Sequence, residues 1–311
     1  MSEAAAREAA ARFGGEAVTQ EGPQAFYRPR DPQQEIALLA RESGLPPDLH
    51  GLLPGKWEKL GDVVVLKLPE PLLPYRREVG ALYARALRAR TVLRDVGGVA
   101  GELREMRETE FLVGSEARAV VVENGIEYAL DASRIMFSSG NVEERRRIGE
   151  LDARGETVVD MFAGIGYFTL PLAVHAGAAC VHALELNPGS FAFLQENVAR
   201  NGAEGVVRPW HGDNRDFPLE GIAHRVHMGY FPGTARFLPK AMRLLRPEGG
   251  VVHFHDTFHE SLAYTEPVRL VQEAAAAVGR EARPLLVRAV KSHSPGILHM
   301  VADMAVGPRQ H

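Results

Sequence analysis

Cysteine is nearly absent, since Cys180 is the only one in 311 residues. A single cysteine cannot close an internal disulfide. Set between two apolar segments, it reads as a small core residue, and a reducing, cytoplasmic setting is the expectation. No apolar run approaches the ~20 residues needed to cross a bilayer. The first residues, Met1-Ser-Glu-Ala-Ala-Ala-Arg7, lack the apolar core of a signal peptide. A basic excess is missing too: 36 Lys and Arg stand against 40 Asp and Glu, for a net charge of −4. That balance argues against a chain dedicated to nucleic acid, although a local basic face is enough to hold phosphates. The two tryptophans, Trp57 and Trp210, read as packing residues. At 45% hydrophobic and 24% charged, the composition is that of a soluble protein, and its length suggests two domains.

The stretch that organises the chain runs from Val158 to Leu170, Val-Val-Asp-Met-Phe-Ala-Gly-Ile-Gly-Tyr-Phe-Thr-Leu. Val158 and Val159 are β-branched and suit a buried strand. Gly164 and Gly166 permit a tight turn and close approach to a ligand. An apolar run from Phe168 then reads as a helix. A second strand, Val181-His-Ala-Leu-Glu-Leu-Asn187, places Glu185 at its end, where a carboxylate can accept both ribose hydroxyls of a nucleoside. No third glycine stands at the dinucleotide spacing, which argues against nicotinamide or flavin. Asp160-x-Phe162-x-Gly164-x-Gly166, then Glu185, then Asp213 after a third apolar segment, resembles the class I S-adenosylmethionine enzymes.

Residues 1–48 read as an N-terminal extension. Residues 1–15 suggest a short Ala-rich helix, Gly22-Pro23 and Pro29-x-x-Pro32 break regular structure, and residues 33–43 suggest another helix. Residues 49–132 read as a small α+β domain. Gly61-Asp62 is a turn before a strand over 63–68. Residues 75–93 read as an amphipathic helix carrying Arg76, Arg77, Arg85, Arg88, Arg90 and Arg94 against one acid, Glu78. That basic face is either solvated or a track for phosphates. Asn124-Gly125 between two apolar runs predicts a hairpin.

Residues 133–311 read as the catalytic domain. Ser138 or Ser139 is placed to cap a helix holding Glu143 and Glu144 in its first turn. Strands are predicted near 157–161, 180–185, 205–211, 223–229, 250–255, 284–290 and 297–305. Helices are predicted near 167–176, 188–201, 234–245 and 259–278. This alternation predicts an α/β fold with a doubly wound, Rossmann-like class I methyltransferase sheet, closed by an antiparallel hairpin.

Laid together, Lys56-Trp-Glu-x-Leu-Gly-Asp-Val-Val-Val65, Asp160-Met-Phe-Ala-Gly-Ile-Gly166, Glu185-Leu-Asn-Pro188, Asn197 and Ser294-Pro-Gly-x-x-His299 resemble one family over residues 50–306. This is the family of archaeal and eukaryotic tRNA enzymes that modify the guanosine beside the anticodon. One branch is the tRNA guanine-N1 methyltransferase. The other is the wybutosine-synthesising transferase, which moves the 3-amino-3-carboxypropyl group of S-adenosylmethionine. The methyltransferase branch carries an Asn-Leu-Pro or Asn-Pro-Pro-like motif after the fourth strand, where this chain has Met228-Gly-Tyr-Phe231. Met228-Gly-Tyr230, Phe137-Ser-Ser-Gly-Asn141 and Val252-His-Phe-His-Asp256 look like the aminocarboxypropyl branch.

The resemblance implies S-adenosylmethionine as donor, no metal, and tRNA-Phe as partner, with no membrane and a monomer expected. It implies that Ser138 and Arg145 hold the donor's amino-acid tail, Arg145 against its carboxylate. Glu185 would bind the ribose and Asp213 the adenine amine, while Phe162, Gly164, Gly166, Leu186 and Asn214 would line the cofactor. Asp160 would lie near the transferred group. Glu144 stands where the methyltransferase branch has a catalytic acid, or else only steadies Arg145. Arg76, Arg85 and Arg88 would contact RNA. Blander readings stand beside these: Ser138 as a helix cap, Arg145 as a surface arginine, Asp213 as the cap of a turn. His253 and His255 share one strand face, a spacing able to bind metal, but no cysteine completes the set. Transfer to a small-molecule acceptor and methyl transfer to tRNA guanine are the alternative functions. A non-catalytic binding scaffold is a third.

Overall fold

The computed structural model describes residues 31–101 and 108–309, together with 4–5, 7–8, 15–19, 25–29 and 105–106. Most of the expected helix at 1–15 lies outside the described residues. The backbone at Gly15–Thr19 (β1) pairs antiparallel with Ala25–Pro29 (β2), where no regular structure was expected. Gly22-Pro23 lies outside the described residues, and Pro29 is the last residue of β2.

The chain divides into two compact units, residues 1–119 with 131–136, and residues 120–130 with 137–311. In the first unit, helix α1 spans Pro32–Glu42 and is capped by Asp31, whose carboxylate accepts the Gln33 N–H at 2.7 Å. Strands β3 (Trp57–Leu60) and β4 (Val63–Leu66) form a hairpin. Helix α2 (Arg76–Leu87) crosses to β5 (Thr91–Asp95), parallel to β4. After the short pair β6 (Val99–Ala100) and β7 (Glu105–Met106), strand β8 (Thr109–Val113) completes a sheet of order β3-β4-β5-β8. Ile36, Leu39, Val64, Val79, Tyr83, Val92 and Leu112 form one core between helices and sheet.

The helix expected over 75–93 stops at Leu87. Arg88 takes a left-handed φ of 52° and the Ala89 N–H closes back on the Ala84 carbonyl, a terminating geometry usually built on glycine. Val92 and Leu93 belong to β5, so Arg90 and Arg94 leave the proposed basic helix face.

Strands β9 (Arg118–Glu123) and β10 (Ile126–Asp131) form the predicted hairpin, with Asn124 at φ 51° and Gly125 at φ 78°. Residues 120–130 of it belong to the second unit and not to the small domain expected to end at 132. The Asn197 side chain is the reason: it accepts the Ala129 N–H at 2.7 Å and donates to the Ala129 and Ile165 carbonyls.

Helix α3 (Val142–Gly149) precedes β11 (Thr157–Asp160), α4 (Thr169–Val174), β12 (Cys180–Glu185), α5 (Pro188–Arg200) and β13 (Val207–His211). Then follow β14 (Arg225–Met228), α6 (Leu238–Leu244), β15 (Gly250–His259), α7 (Glu266–Ala276), β16 (Ala282–Ser294) and β17 (Ile297–Val306). The seven-stranded sheet runs β13-β12-β11-β14-β15-β17-β16. Its first five strands are parallel, and β17 is antiparallel to both neighbours. The order reverses between β11 and β14, which opens a crevice at their carboxyl ends.

Candidate active site

The glycine turn sits at that crevice. Gly164 has φ +58°, and a Cβ there would come within 2.8 Å of the Tyr167 ring, so only glycine fits without displacing Tyr167. Its N–H donates to Glu185 Oε2 at 2.7 Å, and the Asn187 N–H donates to Oε1 at 2.7 Å. Glu185 is thus fixed at the end of β12. Burial pushes its pKa up, against the pull of those two N–H groups. Asn187 in turn caps α5 by accepting from Gly189 and Ser190. Leu186 is exposed beside it.

Asp160 ends β11 fully buried. Thr169 donates its hydroxyl to Oδ2 at 2.7 Å, and His227 Nδ1 stands 3.6 Å from Oδ1. Phe162 stacks on Tyr230 with ring centroids 5.1 Å apart and meets Phe237 edge-on at 4.9 Å. Asp213 does cap a turn: its Oδ1 accepts the Arg215 N–H at 2.9 Å and its carboxylate pairs with the Arg215 guanidinium. That guanidinium holds its pKa below the usual carboxylate value. Asn214 donates to the Met161 carbonyl at 3.1 Å, while its buried Oδ1 has no partner.

The turn at Phe137–Asn141 departs from expectation in three ways. Neither Ser138 nor Ser139 caps α3, and no side chain does. The Ser138 hydroxyl instead accepts from Lys291 Nζ at 2.6 Å. Arg145 is buried, not on the surface, and each of its three guanidinium nitrogens has a partner within the protein. Its guanidinium pairs with Glu123 at 2.6 Å, donates twice to the Ser138 carbonyl at 3.1 Å, and lies 5.0 Å from the Phe137 ring centroid. Arg145 therefore shapes the Ser138 turn from behind, and Lys291 is the cation beside the hydroxyl. Glu144 does not steady Arg145. It is fully buried, pairs with Arg147 at 2.6 Å and with Arg288, and has Oε1 3.7 Å from His255 Nε2.

In the first unit, Arg76 is spent on Glu110 at 2.6 Å, which also holds Arg94 at 3.1 Å, and Arg90 pairs with Asp62 at 2.9 Å. Arg77, Arg85 and Arg88 are exposed.

One face of the sheet carries a layer of buried polar groups that sequence reasoning missed. His253 Nδ1 lies 2.6 Å from Asp303 and its Nε2 lies 2.8 Å from the Arg225 guanidinium. An arginine only donates, so Nε2 accepts and Nδ1 carries the hydrogen, making His253 a neutral imidazole with both nitrogens in use. Neither ring nitrogen of His253 is left for a metal ion. Arg147 joins Asp303 at 2.6 Å to Glu144. His255 Nδ1 faces His299 Nε2 at 3.2 Å. Burial pushes His253 and His255 below the ordinary imidazole value, His255 far below. Burial, with Lys291 and His293 nearby, takes His299 down to about 3. Polar residues at alternate positions on adjacent strands, Arg225 and His227 beside His253 and His255, were the available signal.

The loop after β14 is held from below. Asp256 accepts the Gly233 N–H at 2.9 Å and the Ala235 N–H at 3.3 Å, and Phe231 stacks on His299 at 3.9 Å between centroids. No carboxamide lies in Gly229-Tyr-Phe-Pro232.

This sheet order, glycine turn and strand-end acid match known proteins. Residues 119–282 match the TRM5/TYW2 methyltransferase domain, and residues 38–117 match the TYW2 N-terminal domain. The chain belongs to the TRM5/TYW2 family. A Pyrococcus horikoshii relative named tRNA(Phe) (4-demethylwyosine(37)-C(7)) aminocarboxypropyltransferase is 42% identical over 269 residues, 86% of this chain and 95% of the relative. The structure of P. horikoshii TYW2 in complex with MeSAdo superposes with a TM-score of 0.78 at 38% identity, covering 88% of this chain and 99% of that one. A complex of aTrm5 with tRNALeu gives a TM-score of 0.75 at 25% identity, covering 93% of this chain and 82% of that one. The TRM5/TYW2 membership explains why the class I sheet is joined to a separate N-terminal module, and the TYW2 match to that module separates the chain from the methyltransferase branch. Among the described residues, no helix is long and apolar enough to cross a membrane.

Proposed function

We propose that this protein transfers the 3-amino-3-carboxypropyl group of S-adenosylmethionine to 4-demethylwyosine in tRNA-Phe, releasing methylthioadenosine. The observation that carries the reading is identity along nearly the whole length of a relative bearing that activity's name, with both of its modules matched. The carboxamide-free loop at Gly229–Pro232 agrees with it, since no side-chain amide is present there to orient a guanine nitrogen.

The donor fits the residues present. The buried Asn214 Oδ1, whose amide nitrogen is held by the Met161 carbonyl, is left without a partner and offers an acceptor. Glu185, held by two backbone N–H groups, would accept the ribose hydroxyls. Leu186 and Phe162 would flank the adenosine, and Asp213 would reach its amine once Arg215 shares the carboxylate. Ser138 and Lys291 would hold the tail's carboxylate, with Arg145 fixing the turn that carries Ser138. Asp160 would face the ammonium or the sulfonium. The sulfonium makes all three of its carbons electrophilic, and orientation selects which is transferred. By clamping the tail at Ser138 and Lys291, the protein would present the γ-carbon in line with the acceptor, and such positioning is the main source of rate.

Arg77, Arg85 and Arg88 of the N-terminal module supply the phosphate contacts in this reading, and a monomer in a reducing cytoplasm suits the lone Cys180. The test is incubation with S-adenosylmethionine and tRNA from cells lacking the activity, with mass analysis of nucleosides and by-product. Methylthioadenosine with an aminocarboxypropyl nucleoside is the expected result. S-adenosylhomocysteine with methylguanosine would overturn it. Methylthioadenosine only with a small-molecule extract would keep the chemistry and discard the RNA.

A further inference from the structure

Three loops meet at the rim of the crevice, two of them through aromatic rings. Phe162 follows β11, Tyr230 follows β14, and their rings stack at 5.1 Å between centroids. Buried Phe237 completes the cluster, 4.9 Å from Phe162 and 6.0 Å from Tyr230. The loop after β13 is tied to the same place, because Asn214 donates to the Met161 carbonyl at 3.1 Å.

Two exposed arginines lie on this cluster. The Arg236 guanidinium carbon stands 4.7 Å from the Phe237 ring centroid and 5.7 Å from that of Tyr230. The Arg215 guanidinium carbon stands 5.6 Å from the Phe237 centroid. Arg215 is engaged by the Asp213 carboxylate, which also feels the charge of Arg236. Arg236 is carried by the turn Thr234–Phe237, and that turn is anchored. The buried Asp256 carboxylate accepts the Gly233 N–H at 2.9 Å and the Ala235 N–H at 3.3 Å.

This arrangement suits an anion at the rim. A guanidinium is weakly hydrated, so it rests on ring faces at little cost, and the contact holds a long side chain in place. The entropy of ordering that side chain is then spent before any ligand arrives. Its planar fork of N–H groups matches phosphate, which it can meet with two parallel hydrogen bonds. A nucleotide whose base enters the crevice between β11 and β14 carries its phosphates one sugar away, at the rim where Arg236 stands. A free base brings none.

We propose that Arg236 binds a backbone phosphate flanking the acceptor nucleotide. It is thereby the residue with which the catalytic unit prefers a base set in an RNA strand to the same base free. Arg215 adds its charge beside it. This rests on the acceptor reading given under the proposed function, and it concerns how that acceptor is seated.

The test pairs this one side chain with single phosphates. tRNA-Phe carrying 4-demethylwyosine is assembled with normal linkages, with a methylphosphonate on the 5′ side of the acceptor nucleotide, or with one on its 3′ side. Each methylphosphonate removes the charge of one phosphate only. Affinities of wild type, Arg236→Gln and Arg236→Lys for the three RNAs are measured by titration at one salt concentration. S-adenosylmethionine affinity, measured by calorimetry, shows that each variant is folded. Arg236→Gln should bind the normal tRNA about 10–100-fold more weakly, with donor affinity unchanged. Against at least one methylphosphonate RNA its loss should shrink to within about 2-fold, because the partner charge is already gone. Arg236→Lys should keep part of the affinity and depend on the same linkage, since it retains the charge and loses the fork. A loss equal on all three RNAs assigns Arg236 a general field or packing role and overturns the proposal, as does a near-wild-type affinity of Arg236→Gln. Single-turnover transfer by wild type to the normal tRNA checks the acceptor reading separately. Absence of methylthioadenosine there would sink that reading, whereas the linkage-specific effect is read from binding alone.

Discussion

Arg145→Met separates two roles for one residue. The Arg145 side chain is 2% exposed and its partner Glu123 is 13% exposed, so this is a buried pair with little solvent screening. Removing the guanidinium leaves the Glu123 carboxylate uncompensated and the Ser138 carbonyl without its two donors. Breaking a buried pair from one side costs about 3–5 kcal/mol. In a unit of about 150–250 residues each kcal/mol moves Tm by about 2–4 °C, so a fall of about 6–20 °C is expected. Glu123→Gln in the Arg145→Met background should recover part of it, because the stranded charge is gone. Thermal denaturation by circular dichroism measures both. Calorimetry then compares S-adenosylmethionine with methylthioadenosine, which lacks the amino-acid tail. A residue acting from behind the turn changes the two affinities together. A direct carboxylate partner would lose about 1.5–3 kcal/mol for the tailed ligand alone, about 10–150-fold. That selective loss is expected of Lys291→Met. Finding it in Arg145→Met, with stability unchanged, would refute the reasoning.

Gly164→Ala should cost about 1–3 kcal/mol, from the left-handed φ and the collision with Tyr167, and should weaken adenosine binding in calorimetry. Acid should destabilise the second unit well before its carboxylates titrate. Unfolding returns His299 from about 3 to an imidazole value near ~6.5, so the unfolded chain binds the proton that the folded chain refuses. Stability is therefore full above that value and falls as pH drops below it, by about 2 kcal/mol for His299 alone at pH ~5, and urea midpoints across this range would show it. An unchanged midpoint between pH ~7.5 and ~5 would contradict the neutral cluster. Replacing Arg85 and Arg88 by Ala should weaken tRNA binding and reduce the magnitude of the salt slope by about 1 for each phosphate no longer neutralised, read from binding titrations at several salt concentrations. An unchanged slope would remove these arginines from the RNA face.

The cofactor half of this protein is legible in one dimension because its signals are local. A strand, two glycines and a strand-end acid occupy Val158–Glu185, and each residue type is demanded by backbone geometry within a few positions. The Asn124-Gly125 turn, the alternating strands and helices and the closing hairpin are legible for the same reason, as is the family. The end of α2 was not, because Arg88 adopts a conformation usually signalled by glycine, and Val92 and Leu93 continue an apolar pattern across the break. Side-chain partnership was not legible either. Arg145 looked like a ligand for a carboxylate, and only folding brings Glu123, 22 positions away, against it. Glu144 meets Arg288 and Ser138 meets Lys291 across separations of 144 and 153 positions. The buried polar layer joins α3, β15 and β17 in the same way. Local backbone demands are written in residue order, whereas the pairing of a buried charge depends on which distant strand the sheet brings beside it, and that is settled only by tertiary structure.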